Sequence, residues 1–460
     1  MPDANMRDEC RGDGGRPVPA DGRCARACER EDATMIRVRD SLISLCGVVA
    51  GQVALFGCIS LIGRFQGPEA LGHFNYLLAL ATFAGTLLAC RYELACVSDN
   101  PADSFNAFVN VMVLAGAAVS IGCVAIAVAG RTDLYIVAAY GFAAFAQLAA
   151  GGYLNSLRRY GWIAASRIAV NGSFLVGVLA ATFAPTFRAR SGSIDAFRAY
   201  AAITAAVALL MLIAVALHGR RRGYSFAVTR AFFVEHSRFA KYILPSTLCG
   251  SVLTYALAIV IPHWFDAQSA GYFAAAYRLG FFPVSLIAQS LGGVFRRDAM
   301  AAMAGDDAHM LVPKVFGAYA RALALLAAGY ALGGALLFGP LVELFFGARW
   351  NGAIAFFLCM IPLFAFQMIY VPLSQIFLAA RAQRIDFLFQ LGCGAVLAGA
   401  LVTAKLAGLP VLASVRLFSF SGAVLMIAGI ALTFSVMSGS VSRRRAGAGR
   451  LFHFFIERRS

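Results

Sequence analysis

Twelve apolar runs, each about 18 to 25 residues long and joined by short polar links, constrain this chain more than any other feature. At about 1.5 Å per helical residue, each is long enough to cross the roughly 30 Å hydrocarbon core of a bilayer. They predict spans at about Ser41–Ile62, Phe74–Val97, Phe105–Ala129, Leu134–Ser156, Trp162–Ala184 and Asp195–Leu217. The series continues at about Ile243–Phe265, Gly271–Phe295, Val315–Phe338, Ala353–Leu378, Ile385–Lys405 and Val411–Val436. The composition agrees: 60% of residues are hydrophobic and 13% charged. Soluble domains hold roughly 45–50% and about 25%. The fold class is therefore an all-α polytopic membrane protein with about twelve transmembrane helices.

The polar segments divide the chain. Residues 1–39 are polar, without an apolar core of the signal-peptide kind, and predict a disordered cytoplasmic leader. Met35 stands just before the helical pattern, which predicts that translation starts there. Residues 40–217 form an N-terminal six-helix bundle and 243–436 a C-terminal one. Between them, 218–242 is a cytoplasmic linker whose Phe232–Phe239 stretch fits an interfacial helix. A basic tail, 437–460, follows, and its Leu451–Ile456 segment fits the same description. Links after even-numbered spans are rich in arginine, from Arg158 and Arg159 through Arg220, Arg221, Arg222 and Arg230 to Arg381 and Arg384, except the link after the second span, which has Asp99 and Asp103 and relies on nearby Arg91. Links after odd-numbered spans hold only Arg64, Arg131, Arg188, Arg190, Arg349 and Lys405. The positive-inside rule then places both termini in the cytoplasm.

The formal net charge of +16 raises the question of nucleic acid. Its cations gather between apolar runs and at the chain ends, without aromatic-basic interleaving on a soluble face, so no nucleic-acid partner is expected and lipid headgroups are. The eleven cysteines sit singly in apolar runs or in the leader, which predicts neither disulfides nor a metal site. No cofactor motif is present. Asp306-Asp307-x-His309 is the nearest approach to a metal cluster and reads as a solvated turn.

A faint internal repeat pairs Gly51 with Gly250, Gly72 with Gly271, Phe74 with Phe273 and Phe83 with Phe282, all at one offset. Six spans per half make the repeat parallel, two bundles related by a pseudo-twofold axis along the membrane normal. At the same offset, the counterpart of Arg278 is Ala79.

Several stretches resemble those of a known family. They are Gly67-Pro68-Glu69-Ala70-Leu71-Gly72-x-Phe74, Arg91-Tyr92-Glu93-x-Ala95 and Asn155-x-x-Arg158-Arg159-Tyr160-Gly161-x-Ile163-Ala164-x-Ser166-Arg167. The Ala270-Gly271-Tyr272-Phe273 hairpin, the Pro283 helix and Phe346-Gly347-x-x-Trp350 belong with them. In order and spacing they resemble the bacterial oligosaccharide flippases of the polysaccharide biosynthesis type (Wzx-like), in the MOP exporter superfamily. The resemblance implies a V-shaped, MATE-like pair of six-helix bundles in the bacterial inner membrane. It implies a transporter, not an enzyme, that carries undecaprenyl-diphosphate-linked glycans to the outer leaflet. Partners would include the glycosyltransferases and polymerase of the same pathway. Drug exporters and carriers of other lipid-linked precursors share the fold. A membrane-embedded glycosyltransferase or polymerase fits less well, since the outer links are short.

Charges inside the membrane are the candidate site. Arg278 lies seven residues past Gly271, about 10 Å into its helix. Arg321 is at similar depth from the cytoplasmic side, Arg416 from the outer side, and Arg64 guards the first outer link. Facing a cavity, such cations match phosphate oxygens; facing lipid, they snorkel. Arg91 and Glu93 complete the set. Two residues apart on a helix, they would point about 200° apart and could not pair.

Overall fold

The computed structural model describes residues 46–98, 100–183, 195–304, 308–380 and 382–457. The leader with Met35, the links holding Arg188, Arg190, Asp306 and Asp307, and Arg381 lie outside the described residues.

Helices α1 (Cys46–Gln66), α2 (Pro68–Leu87), α3 (Pro101–Val128), α4 (Tyr135–Ser156), α5 (Tyr160–Phe183) and α6 (Ala196–Arg222) build the first half. The second is α7 (Leu244–Trp264), α8 (Ala267–Ala304), α9 (Ala308–Phe346), α10 (Gly352–Leu373), α11 (Gln383–Leu406) and α12 (Val411–Glu457). All twelve are apolar and long enough to cross a membrane. Local chemistry fixes several ends. Asn100 caps α3 by accepting the Ala102 N–H at 3.0 Å, with Pro101 in the first turn where its missing N–H costs nothing. Asp195 caps α6 from the Phe197 N–H at 2.9 Å, and Gly223 closes it at φ 70°.

Several bounds differ from the sequence reading, among them α8, which runs to Ala304 instead of Phe295, and α9, which covers Ala308–Phe346 instead of Val315–Phe338. The second span begins six residues earlier, at Pro68, and stops at Leu87 instead of Val97. Cys90 and Arg91 then take left-handed φ of 49° and 67°, which no helix accommodates, and a tight helical turn follows at Tyr92–Cys96. At the other end of the chain α12 runs unbroken to Glu457, past the last span's end at Gly439, so Leu451–Ile456 lies on the same helix as that span. The linker also differs from a free interfacial helix. Its short helix Arg230–Glu235 buries Phe232 against Tyr92 at 6.0 Å between ring centroids, and the Tyr92 hydroxyl donates to the Phe233 carbonyl at 3.3 Å. Asn110 accepts the Thr229 N–H at 2.9 Å, strapping the linker across α3.

The packing map of one half recurs in the other, shifted by six helices. Helix α4 packs on α2, α3 and α6 and α5 on α6; likewise α10 packs on α8, α9 and α12 and α11 on α12. The α1–α5 contact, where a Cβ on Gly47 would strike Ala164, has its mate in α7–α11, where one on Gly394 would strike Cys249. The halves meet where α2 crosses α8, flanked by α7 against α2 and by Phe56 of α1 against Phe282 of α8. At the centre lie the repeat-related glycines. A Cβ on Gly271 would sit 2.0 Å from the Pro68 carbonyl oxygen, and one on Gly72 would sit 2.7 Å from the Gly271 nitrogen. Such close backbone approach is the means by which membrane helices associate without a hydrophobic drive.

Candidate functional site

Arg278 stands on α8 at this crossing, two turns from Gly271. Its Nε–H donates to the Oδ1 of Asn75 on α2 at 3.0 Å, across the two halves. Asn75 is buried and Arg278 half-buried. The guanidinium has five N–H donors, so the four Nη protons remain beyond that bond. Tyr140, Tyr200, Tyr255 and Tyr277 surround it closely enough to feel its charge. Among the described residues no carboxylate pairs with it. A cation inside a membrane span with only a neutral amide for company is costly unless something else neutralises it. Asn75 went unnoticed in the sequence, where charges drew the eye. The signal was there: a lone amide in an apolar run, three residues after the repeat glycine.

The face of the odd-numbered links is closed above this point. Arg349 donates through Nη2 to the Gly63 carbonyl at 3.2 Å and to the Arg64 carbonyl, holding the last turn of α1. In return Arg64 donates to the Leu344 carbonyl at 3.2 Å from an exposed position. Trp350 is fully buried, its ring against Phe346 and Tyr272. The Tyr272 hydroxyl donates to the Arg349 carbonyl at 3.3 Å. The Phe346-Gly347-x-x-Trp350 and Ala270–Phe273 motifs therefore act as one clasp, which fastens the end of α1 to the second half.

Arg91 and Glu93 correct the sequence expectation. They pair, Arg91 Nη1 to Glu93 Oε1 at 2.8 Å, with the Glu93 side chain 3% exposed. On a continuous helix the two would point about 200° apart; the left-handed residues at 90 and 91 fold the arginine back over the turn that holds the glutamate. Burial pushes the Glu93 carboxyl above the usual range, against the pull of Arg91. The same dryness, with Glu93 nearby, lifts the Cys96 thiol to about 12. This pair lies under the linker, far along α2 from Arg278. Arg321 and Arg416 stand elsewhere again. Arg321 is exposed, bonded to its own helix through the Gly317 carbonyl at 3.2 Å, one turn from exposed Leu325. Arg416 is exposed one turn from Phe420. Of the six candidates, only Arg278 and Arg64 touch both halves.

Residues 193–355 match the model of a family described as polysaccharide biosynthesis protein. The structure aligns with a lipid II flippase, MurJ, in an inward closed conformation: TM-score 0.65, 11% identity, 87% of this chain and 91% of that one. It aligns with an inward-facing multidrug resistance MATE family transporter of the MOP superfamily at TM-score 0.64 and 14% identity, covering 85% and 95%. An outward-facing MATE transporter gives 0.59 at 15% identity, covering 88% and 96%. The chain has the fold that these transporters share. The match over 193–355 takes in α6, the linker, the Arg278 helix and the Arg349–Trp350 clasp, so the polysaccharide biosynthesis likeness falls on the second half's share of the crossing. No curated protein matches the chain by sequence. At such identities the structural likeness establishes the fold alone, and role and substrate have to be argued from this chain's own residues.

Proposed function

We propose that this protein flips an undecaprenyl-diphosphate-linked oligosaccharide across the bacterial inner membrane, both termini in the cytoplasm. The glycan and diphosphate pass between the halves while the lipid tail stays in the bilayer, and the halves rock about the α2–α8 crossing. The observation that carries this reading is Arg278, a cation without a carboxylate at the meeting of the halves. Its free Nη protons match the oxygens of a diphosphate, and the tyrosines around it offer flat amphipathic faces to sugar rings. A cationic drug would meet charge of its own sign there. The closed clasp on the odd-link face, and the better alignment with an inward-facing than an outward-facing relative, support a resting state that opens to the basic face.

The test is flipping of a polyprenyl-diphosphate oligosaccharide in proteoliposomes, with efflux of a cationic dye run in parallel. Arg278→Ala is expected to lose about 10- to 100-fold, the scale of a charge-assisted contact, and Arg278→Lys to recover part, since lysine keeps the charge but loses the fork. Wild-type flipping by the alanine variant would place Arg278 among the snorkelling cations, and dye efflux without oligosaccharide flipping by the unsubstituted protein would assign it to the drug-exporting branch of the fold.

A further inference from the structure

We infer that the N-terminal half holds a binding site for an anionic phospholipid headgroup, between the basic ends of α4 and α6 and away from the crossing of the halves. Both helices end in the same backbone motif. Arg158 N–H donates to the Asn155 carbonyl and Arg159 N–H to the Leu154 carbonyl, each at 2.9 Å. Gly223 and Tyr224 do the same to Arg220 at 3.1 Å and Gly219 at 3.0 Å. In α6 the left-handed position is a glycine; in α4 it is Arg158, at φ 54°, an uncommon conformation for a side chain with a Cβ. That turn brings Arg159 back over the end of α4. The last carbonyls of both helices thus have backbone partners, and Arg159, Arg221 and Arg222 have no carboxylate or carbonyl partner among the described residues.

Between the two ends is a cavity of about 90 Å³, lined by Tyr153, Arg159, Trp162, Met211, Val215 and His218 among others. Tyr153 is 0% exposed, yet its hydroxyl has no hydrogen-bond partner, and neither has the Nε2 of His218. Buried polar atoms left single in this way ask for a ligand. Arg159 and Arg222 act electrostatically on both groups, and Arg221 on His218. The lining holds no carboxylate. The Tyr153 hydroxyl, the His218 imidazole and the Arg159 guanidinium line a space of phosphate size, with Arg221 and Arg222 adding positive charge from beyond the lining, and together they suit an anion with several oxygens.

The surroundings identify a lipid as the source of that anion. Trp162 at the rim is exposed, as amphipathic rings are at headgroup level. From the cavity, exposed Leu217, Ile213 and Leu210 descend one face of α6, a track for acyl chains.

Native mass spectrometry of the full chain, released from detergent with phosphatidylglycerol or phosphatidylcholine, tests the site. The wild type should retain phosphatidylglycerol preferentially. Arg159→Gln is expected to weaken retention about tenfold and Tyr153→Phe, which removes a single oxygen, severalfold. Arg198→Gln, a cation lost from the opposite face, should leave it unchanged. A thermal unfolding curve for each variant confirms that it is folded. Equal retention of the two lipids overturns the assignment, as does wild-type retention in Tyr153→Phe and Arg159→Gln together, or an equal loss in Arg198→Gln. Inorganic phosphate binding that depends on Tyr153 with no lipid retained would make it a soluble-anion site and overturn the lipid reading.

Discussion

The two sides of the α2–α8 crossing are built from equivalent positions and filled differently. On one side Asn75 meets Arg278. The mates of these residues under the repeat are Ala274 and Ala79, both buried, both alanine. A self-complementary contact places each pair twice, once on each side of the axis. Packing alone would be served by alanines on both sides, as it is by Gly72 and Gly271 at the centre. The scaffold is symmetric and its chemistry is not. What is added on one side only therefore belongs to what passes through. The pair at Arg91 and Glu93 makes the contrast sharper: that half-buried cation has its own buried carboxylate, and its position under the linker is structural.

The largest effect expected comes from giving Arg278 what Arg91 already has. Asn75→Asp sets a carboxylate where the amide stands, nearly isosteric, at hydrogen-bond distance from the guanidinium. If the cation serves substrate, flipping should fall to the level of Arg278→Ala, while thermal stability holds or rises. If the pair merely joins the halves, the new carboxylate joins them better than the amide did and flipping survives. Proteoliposome flipping and thermal unfolding on the same preparation separate the two.

Next comes the symmetric centre. An added methyl on Gly271 has backbone to meet at 2.0 Å, one on Gly72 at 2.7 Å. Neither neighbour is a flexible side chain, so both overpack, by about 1–3 kcal/mol, with Gly271→Ala the worse. Unfolding temperatures and flipping rates of the two variants check the order. Equal values would mean that the halves do not approach as closely as these distances imply.

Much of this architecture was legible in the sequence alone. Span number, their lengths and the repeat follow from apolar run length and from glycines, because a bilayer leaves a helix little choice. The bounds of the second span were not legible. The run from Phe74 to Val97 is apolar almost throughout, and nothing in its composition announces that Cys90 and Arg91 turn left-handed. Arg91 and Glu93 can pair because the helix has already ended at Leu87, before either of them. Asn75 was missed for another reason. Its partner is 203 positions away, and only the crossing brings the two together. The clasp was half visible, its aromatic and glycine residues noticed as a pattern while the bond from Arg349 to the end of α1 was not.

The Arg91–Glu93 pair gives a smaller, pH-dependent effect. A carboxyl whose folded value is raised binds its proton more tightly folded than unfolded. It adds stability as pH falls below that value and loses it as pH rises through it. Burial raises Glu93 and Arg91 opposes the rise. Arg91→Gln removes the opposition, so the variant's unfolding temperature should decline more steeply than the wild type's between about pH 5 and about pH 8. Glu93→Gln added to it should flatten the slope. A flat profile for Arg91→Gln alone would show that water reaches the carboxylate.

The smallest effects should come from Arg321 and Arg416. Each is an intramembrane cation by sequence, as Arg278 is, and each stands exposed with apolar neighbours one turn away. Arg321 already uses its Nε on a carbonyl of its own helix. An exposed arginine on an apolar helix face can carry its charge to the headgroups and cover the face with its stem, so its replacement removes little. Arg321→Gln and Arg416→Gln should each flip substrate within about twofold of wild type and unfold within about 0.5 kcal/mol of it, the range of surface changes. Together they form the control for the crossing. They remove the same charge from the same membrane without touching the meeting of the halves. If either costs as much as Arg278→Ala, net intramembrane charge is what matters, and the asymmetry at the crossing loses its meaning.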